Sequence, residues 1–137
     1  LQSTLAIIKP DAVERGLTGV IIKRIEDERF TIIGMRLVHL TKREAEGFYA
    51  VHRARPFFGA LTDFMSSGPA VVLALQGEAA ISRWRQLMGA TNPAEADPDT
   101  LRRLYGSSID RNATHGSDAP QTAAFEVGYF FEGSEFI

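Results

Sequence analysis

Several absences from this sequence exclude whole classes of protein. None of the 137 residues is cysteine, which excludes disulfide bonds and thiolate chemistry and is consistent with a cytoplasmic location. No apolar run is long enough to span a membrane, and we expect neither a signal peptide nor a membrane partner. The chain opens on Leu1 rather than methionine, which leaves open whether residues precede it. The remaining composition is typical of a globular protein, and we predict one domain over residues 1–137.

An excess of positive charge is also lacking. The formal net charge is −2 and the sequence pI is about 5.9, which argues against a nucleic-acid partner. Of the 15 lysines and arginines, only Lys9, Lys23 and Lys42 are lysines. The planar guanidinium of arginine suits phosphate and carboxylate groups, so a minority of the arginines are candidate ligands. Most of them are expected on the solvated surface.

The sequence contains neither of the glycine-rich loops that commonly bind nucleotide phosphates. There is no G-x-x-x-x-G-K-[ST] motif and no G-x-G-x-x-G motif. If a nucleotide binds, its phosphates must therefore be held by side chains, with or without a metal ion. The candidate side chains come from the irregular parts of the chain and are Lys9, Arg85, Thr91, Arg102 and Asn112.

Apolar runs and helical periodicity predict alternating strands and helices. Strands are expected at 3–9, 30–40 and 70–75, with a further strand or loop end just before residue 115. Helices are expected at 18–29, 41–52, 78–88 and 119–131, with shorter ones near 59–66 and 100–105. This order fits the α/β (α+β) class, as a ferredoxin-like sandwich with a four-stranded antiparallel sheet and helices packed on one face.

Local patterns give bounds within these elements. Pro10 is expected to end the first strand. Gly34 marks a β-bulge or the close approach of another group inside the second strand. Thr41 and Glu44 have the spacing of a capping box, which predicts that the helix over 41–52 begins there.

Residues 112–118, with the sequence NATHGSD, are the local stretch that best suits chemistry. An uncharged imidazole can attack phosphorus near neutral pH, which makes His115 a candidate nucleophile. Gly116 is expected to let a bulky ligand approach the ring. Ser117 or Asp118 is expected to cap a helix whose first turn contains Pro120. Taken alone, the pattern also fits a loop histidine beside a turn glycine.

Phe57 and Phe58 follow a helix-breaking proline. Two adjacent phenylalanines point in different directions on any regular element, so one ring is expected at the surface, where it could stack on a nucleotide base. The alternative is that both rings lie in the core. His39 and His52 belong to no polar constellation in the sequence, and we interpret both as structural or surface residues.

Six motifs, in order, resemble the nucleoside diphosphate kinase family over nearly the whole chain. They are IKPDAV at 8–13, FY at 48–49, RPFF at 55–58, MSSGP at 65–69, LMGATNP at 87–93 and NATHGSD at 112–118. The resemblance implies that His115 takes the γ-phosphate of a nucleoside triphosphate as phosphohistidine and passes it to a nucleoside diphosphate, in a ping-pong cycle. Glu126 resembles the carboxylate that holds the far ring nitrogen, with Ser117 beside it and the hydroxyl of Tyr49 close by.

The resemblance also implies how a nucleotide is held. Phe57 resembles the ring that stacks on the base, which implies broad base tolerance because every base has a π-face. Lys9 and Asn112 resemble the groups that contact the 3′-hydroxyl of the sugar. Arg85, Thr91 and Arg102 resemble the phosphate ligands. Mg²⁺ is expected to bridge the phosphates rather than to occupy a protein cage.

A homo-oligomer is the partner state that the resemblance implies, with a dimer as the minimum unit and a tetramer or hexamer built from dimers. The second strand is long and apolar, and such an edge must be covered or paired. The tail ends at Ile137, so we expect a higher oligomer to be held less tightly than in long-tailed relatives. Two alternatives remain. An RNA-binding module would need an aromatic strand motif and basic charge, and a non-catalytic nucleotide-binding relative would be expected to lack the histidine or its phosphate ligands.

Overall fold

The computed structural model describes residues 1–136, and Ile137 at the end of the predicted tail lies outside the described residues. The strands are β1 Gln2–Ile8, β2 Thr31–Val38, β3 Ala70–Gly77 and β4 Thr114–Gly116. The helices are α1 Pro10–Glu14, α2 Thr18–Asp27, α3 Lys42–Phe48, α4 Phe58–Met65, α5 Ala80–Met88, α6 Leu101–Tyr105 and α7 Pro120–Phe130. Short 3₁₀ turns occupy Ala50–His52, Pro93–Glu95 and Gly133–Glu135.

The strands form a four-stranded antiparallel sheet in the order β2-β3-β1-β4. This order and direction confirm the predicted ferredoxin-like sheet. The central strands β1 and β3 are the most apolar, and residues Leu5 to Ile8 of β1 are fully buried. The edges are β2 and the three-residue β4, which pairs with β1 so that His115 lies opposite Ile7.

Helices cover both faces of the sheet, so the prediction that they pack on one face is wrong. On the first face, Trp84 of α5 packs with Ile21 and Ile25 of α2. On the second face, Phe48 of α3 packs with Met65 of α4 and Phe130 of α7. The cause lies in the central strands. They are apolar at successive positions rather than alternately, so both of their faces must be removed from water.

The bulge predicted at Gly34 is present in β2. The pairing of β2 with β3 shifts register between Ile32 and Gly34. A Cβ atom at Gly34 would lie 3.0 Å from the ring of Phe131, so the close approach suggested by the sequence is also observed.

The largest differences from the predicted helices are at α3, which is shorter, and at α1, which was not predicted. The capping box is present, since Glu44 N–H donates to Thr41 Oγ1 and Thr41 N–H donates to Glu44 Oε1. The helix it begins ends at Phe48 rather than at residue 52, and a separate 3₁₀ turn follows. Pro10 does more than end β1, because it is the first residue of α1, where its missing N–H has no cost.

Candidate active site

Strand β4 directs His115 into the second, more aromatic face of the sheet. Pairing with Ile7 sets this direction, because opposite residues on paired strands share a face and Ile7 belongs to the core on that side. The imidazole lies edge-on to the rings of Phe48 and Tyr49, with ring centroids 5.4 and 5.9 Å away. Its side chain is 16% exposed, so the ring is held by packing and remains accessible.

A carboxylate and a hydroxyl fix the orientation of this ring. Glu126 Oε1 lies 2.9 Å from His115 Nε2, and the same oxygen accepts a hydrogen bond from Ser117 Oγ at 2.8 Å. Ser117 Oγ in turn accepts from the N–H of Leu5, which leaves its proton for the carboxylate. An ionised carboxylate can only accept, so Nε2 carries the proton and the lone pair is on Nδ1. The arrangement presents Nδ1 as a nucleophile.

Gly116 serves packing rather than ligand access, which corrects the sequence-based expectation. A Cβ atom there would lie 2.5 Å from Trp84 Cδ1 and 2.6 Å from Met88 Cε, both of α5. The indole Nε1–H of Trp84 donates to the carbonyl of His115 at 3.1 Å. The absent side chain therefore admits an indole that supports the histidine from the opposite face of the strand.

The cap of α7 also differs from the prediction. The N-cap residue is Ala119, not Ser117 or Asp118. Thr122 Oγ1 accepts from the N–H groups of Ala119 and Asp118, at 2.9 and 3.2 Å. This frees Ser117 to bind Glu126. Pro120 does lie in the first turn, as predicted.

A buried lysine and asparagine join the exit of β1 to the loop before β4. Lys9 Nζ donates to Asn112 Oδ1 at 2.8 Å, and Asn112 Nδ2 donates to the carbonyl of Thr91 at 3.0 Å. Burial, together with the nearby charge of Arg102, lowers the pKa of Lys9 to about 8. The ammonium is thus charged at neutral pH but poorly solvated, which favours its binding an incoming anion.

Two arginines flank β4. Arg102 donates to the carbonyls of Gly89 and Thr114, at 3.0 and 2.9 Å. Burial, and then the charge of Arg85, lower the pKa of Arg102 to about 10, so it stays charged at neutral pH. Arg85 forms a 2.6 Å ion pair with Asp118, and both side chains are exposed. An exposed pair contributes little net stability, so an anion can replace the carboxylate.

An aromatic row connects the surface to the histidine. One of the two adjacent phenylalanine rings lies at the surface, as expected: Phe57 is 46% exposed, whereas Phe58 packs against the core. The ring of Phe57 packs on that of His52, with ring centroids 5.5 Å apart, and His52 stacks on Tyr49, with centroids 6.4 Å apart. The buried hydroxyl of Tyr49 has no hydrogen-bond partner within residues 1–136, and burial and the nearby Glu126 raise its pKa.

Cavities and metal-binding groups give limited further information. A cavity of about 650 Å³ opens beside Arg85, Gly89 and Thr100, next to the carbonyl that Arg102 binds. A second cavity of about 650 Å³, beside Arg43 and Tyr129, is lined by none of the predicted site residues. In the described part of the chain, no three His, Cys, Asp or Glu side chains are grouped so that they could hold a metal ion. Nor is any helix there long and apolar enough to cross a bilayer.

The structure thus brings most of the predicted residues together around β4, whereas Phe57 lies at the outer end of the aromatic row and Thr91 takes part through its backbone carbonyl. Three further residues contact this group although the sequence did not assign them to the site. They are Asp11, His52 and Trp84. Asp11 follows a lysine and a proline at the exit of a buried strand, and this position could have marked it as a site residue. His52 was interpreted as structural or surface, and nothing in the sequence placed its ring between Tyr49 and Phe57. Trp84 looked like an ordinary core residue of an amphipathic helix.

Comparisons with known proteins, by sequence and by structure, match this chain to one family. The sequence model of the family described as nucleoside diphosphate kinase matches residues 2–136. A nucleoside diphosphate kinase of Desulfovibrio desulfuricans is 62% identical over 135 residues, which are 98% of this chain and 97% of that protein. One from Pelobacter propionicus is 58% identical over 137 residues and the full length of both chains.

Solved structures agree with the sequence relatives. The nucleoside diphosphate kinase of Aquifex aeolicus superposes with a TM-score of 0.98 at 42% identity, covering 99% of each chain. A halophilic nucleoside diphosphate kinase from Halobacterium salinarum, solved in complex with CDP, gives a TM-score of 0.95 at 36% identity. That match covers 99% of this chain and 91% of the other.

Proposed function

Because this chain belongs to the nucleoside diphosphate kinase family, we propose that it transfers the γ-phosphate of a nucleoside triphosphate to a nucleoside diphosphate through a phosphohistidine at His115. The observation that carries the assignment of the nucleophile is the bond between His115 Nε2 and Glu126 Oε1, at 2.9 Å. It keeps the proton on Nε2 and leaves Nδ1 free to attack.

The transfer has two half-reactions. In the first, Nδ1 attacks the γ-phosphorus, the bond to the β–γ bridging oxygen breaks, and the diphosphate leaves with that oxygen and its electron pair. In the second, a terminal phosphate oxygen of another diphosphate attacks the phosphohistidine, and the P–N bond returns its electrons to Nδ1. The proton stays on Nε2 throughout. Glu126 stabilises the positive charge that the ring acquires on phosphorylation, and Ser117 keeps that carboxylate in place.

We propose that the nucleotide lies along the aromatic row with its phosphates at β4. Phe57 stacks on the base, and its exposure supports this role. Lys9 and Asn112, already bonded to each other, bind the 3′-hydroxyl. The relative from Halobacterium salinarum was solved with CDP, a nucleoside diphosphate, which supports this substrate class. The phosphates are bound by Arg85, Thr91 and Arg102, and the hydroxyl of Tyr49 lies near the histidine.

Mg²⁺ fits this site only as an ion carried by the nucleotide. The donors around β4 are mainly an ammonium and guanidinium groups, which bind phosphate oxygens rather than a cation. The described residues also offer no group of three metal-ligating side chains. When bound to the phosphates, the ion neutralises their charge. Arg85 and Arg102 would hold the phosphate oxygens that the ion leaves free.

A dimer built on the β2 edge is our proposal for the minimum assembly, with a tetramer or hexamer formed from dimers. Met35 and Leu37 on this edge strand are 53% and 70% exposed. Exposed apolar side chains on a free edge favour pairing with a second copy. Light scattering over a dilution series should give a mass no smaller than a dimer. An active monomer at all concentrations would refute the proposal.

We also propose that residues 1–137 form one domain and that the protein acts in the cytoplasm. The two core clusters share the central strands β1 and β3, so neither is expected to fold without the other. A single cooperative unfolding transition, seen equally by near- and far-UV circular dichroism, is the expected result. Nucleotide substrates support the location, which fractionation of the source cells would test.

Incubation with γ-³²P-ATP and Mg²⁺ tests the central proposal. The expected product is an acid-labile, alkali-stable phosphoprotein, since phosphohistidine has that lability. Chase with ADP, GDP, CDP or UDP should discharge the label to the matching triphosphate. An unlabelled protein, or a label that diphosphates do not remove, would contradict the ping-pong cycle.

A further inference from the structure

The chain makes a strained turn two residues before the proposed nucleophile. The N–H of Thr114 donates to the carbonyl of Asn112 at 2.9 Å, which closes a three-residue γ-turn. Its central residue, Ala113, has φ +74°, in the left-handed region that a Cβ atom disfavours. A γ-turn with positive φ is the rare, strained form. Such a conformation persists only where the surroundings hold it, and it tends to occur at functional sites.

The residues at the exit of β1 hold this turn from both sides. Asp11 Oδ2 accepts from the N–H of Ala113 at 3.1 Å, and the N–H of Lys9 donates to the carbonyl of Ala113 at 2.9 Å. Asp11 is 6% exposed, and its second oxygen has no hydrogen-bond partner within residues 1–136. Burying a carboxylate with one unpaired oxygen costs solvation energy. An apolar side chain could fill the same space without that cost, so packing alone does not explain Asp11.

The held turn determines where two parts of the proposed site lie. Before it, Asn112 is bonded through its side chain to Lys9 Nζ. After it, Thr114 begins β4, and His115 follows at once. A change in the turn therefore moves the sugar-binding pair and the nucleophile relative to each other.

We propose that Asp11 is a positioning residue for phosphoryl transfer: its carboxylate holds the strained turn at Ala113 and thereby fixes Asn112 and His115 relative to each other. This inference rests on the proposed function. Asp11 acts through the backbone of Ala113 and does not touch the substrate. Its importance depends on the strain, so removing the strain should make the carboxylate less necessary.

A rescue experiment tests this dependence. Asp11→Ala is expected to lower kcat/KM for a nucleoside diphosphate by about 100-fold, the cost of a small misplacement of reacting groups. In Asp11→Ala/Ala113→Gly, the glycine accepts positive φ freely, and about tenfold of the loss should return. Ala79 is a matched control, since it also has positive φ, +47°, but precedes α5. Ala79→Gly should also remove the cost of a positive φ at a Cβ-bearing residue, without rescuing Asp11→Ala.

The choice of acceptor gives a readout that a merely structural role would not change. Asn112 and Lys9 are proposed to bind the 3′-hydroxyl, so Asp11→Ala should bring the kcat/KM ratio between a nucleoside diphosphate and its 2′,3′-dideoxy analogue closer to one. Melting temperatures measured alongside separate lost stability from lost positioning. If Asp11→Ala does not fold, Asp11→Asn decides, because its amide oxygen can still accept from Ala113 and kcat/KM should stay near the wild-type value.

Several outcomes would overturn the inference. They are wild-type kinetics in folded Asp11→Ala, no rescue by Ala113→Gly, equal rescue by Ala79→Gly, an unchanged acceptor ratio, or a 100-fold loss in folded Asp11→Asn. A wild-type protein that forms no phosphohistidine would instead refute the proposed function. The two failures are therefore distinguishable.

Discussion

The two sides of strand β4 are built from different kinds of side chain. On one side, Gly116 lies against Trp84 and Met88 of α5, in a core cluster made of apolar residues. On the other side, His115 lies among aromatic rings and also binds the carboxylate of Glu126. Neighbouring residues on a strand point to opposite faces. The three-residue strand β4 can therefore pack against the core through Gly116 and present His115 to the candidate site.

The two sides also differ in what stabilises them. The Trp84 side depends on shape, because close-packed apolar groups gain their energy from contact and from exclusion of water. The His115 side contains a mostly buried carboxylate, which needs hydrogen bonds to offset its lost hydration. Glu126 has two such partners, His115 and Ser117. Substitutions on the first side should therefore change unfolding, and those on the second should change turnover.

The largest effect is expected from His115→Ala, the direct test of the chemical side. Loss of a covalent nucleophile should lower kcat by about 10⁴–10⁶-fold and abolish the acid-labile phosphoprotein. The fold should remain, because Gly116 and its contacts with Trp84 are unchanged and Glu126 keeps its bond to Ser117. Labelling with γ-³²P-ATP and a thermal melt measure the two properties. Substantial labelling of a folded variant would assign the nucleophile elsewhere.

Gly116→Ala is the matching test of the packing side. Its Cβ atom would lie 2.5 Å from Trp84 Cδ1, so overpacking should lower the free energy of unfolding by about 1–3 kcal/mol. Gly128→Ala in α7 is the control, because a Cβ atom there meets nothing within 4 Å. This helical substitution should stabilise by up to about 1 kcal/mol. Urea denaturation of both variants decides, and equal stabilities would show that the Trp84 contact is not limiting.

The sequence predicted features that depend on local patterns better than those that depend on contacts between distant residues. The sheet and most helices follow from apolar runs and local signals such as the Thr41–Glu44 capping box. The motif around His115 predicted a nucleophile and, by family resemblance, its partner Glu126, and these two side chains lie 2.9 Å apart in the structure. The helices that cover the second face were predicted, but their position on that face was not, since local patterns show that a helix forms but not which side of a sheet it covers.

Gly116 and Asp11 show why the remaining details could not be predicted. Gly116 precedes a helix, and its sequence neighbourhood suggested an opening for a ligand. The indole that fills this space comes from Trp84, more than 30 residues earlier in the chain. Asp11 likewise acts on Ala113, which is 102 positions away. Roles that depend on long-range contacts are defined only once the chain is folded.

Phe57→Ala extends the comparison to the far end of the aromatic row, with a smaller effect. Binding of all nucleotides should weaken by a similar amount, about 1–3 kcal/mol, because stacking does not depend on the base. The neighbouring Phe58 packs against the core, so Phe58→Ala should lower the free energy of unfolding more than it weakens nucleotide binding. Titration calorimetry with ADP, GDP, CDP and UDP measures the set. A loss confined to one base would indicate recognition of the base edge instead.

A pH dependence is expected at Lys9, where β1 leaves the core. Burial lowers the pKa of Lys9 to about 8, from an ordinary value of 10.5 for a solvated lysine. Below pH 8 the folded and unfolded chains both carry the charge, and the cost of burying it is fully present. Between pH 8 and 10.5 the folded chain releases this proton while the unfolded chain retains it, so the contribution of Lys9 to stability becomes more favourable as pH rises.

Activity should change with pH in the opposite direction. The ammonium that donates to Asn112, and that we propose binds the substrate, loses its charge above pH 8, so kcat/KM should fall there by up to about tenfold per pH unit. Bound phosphate favours the charged form, so the fall in kcat, which reports the complex, should begin at higher pH than that in kcat/KM. Lys9→Gln should abolish the alkaline falls in kcat and in kcat/KM, and both constants should be lower than in the wild type at neutral pH. A variant that kept the fall near pH 8 would assign the titration to another group.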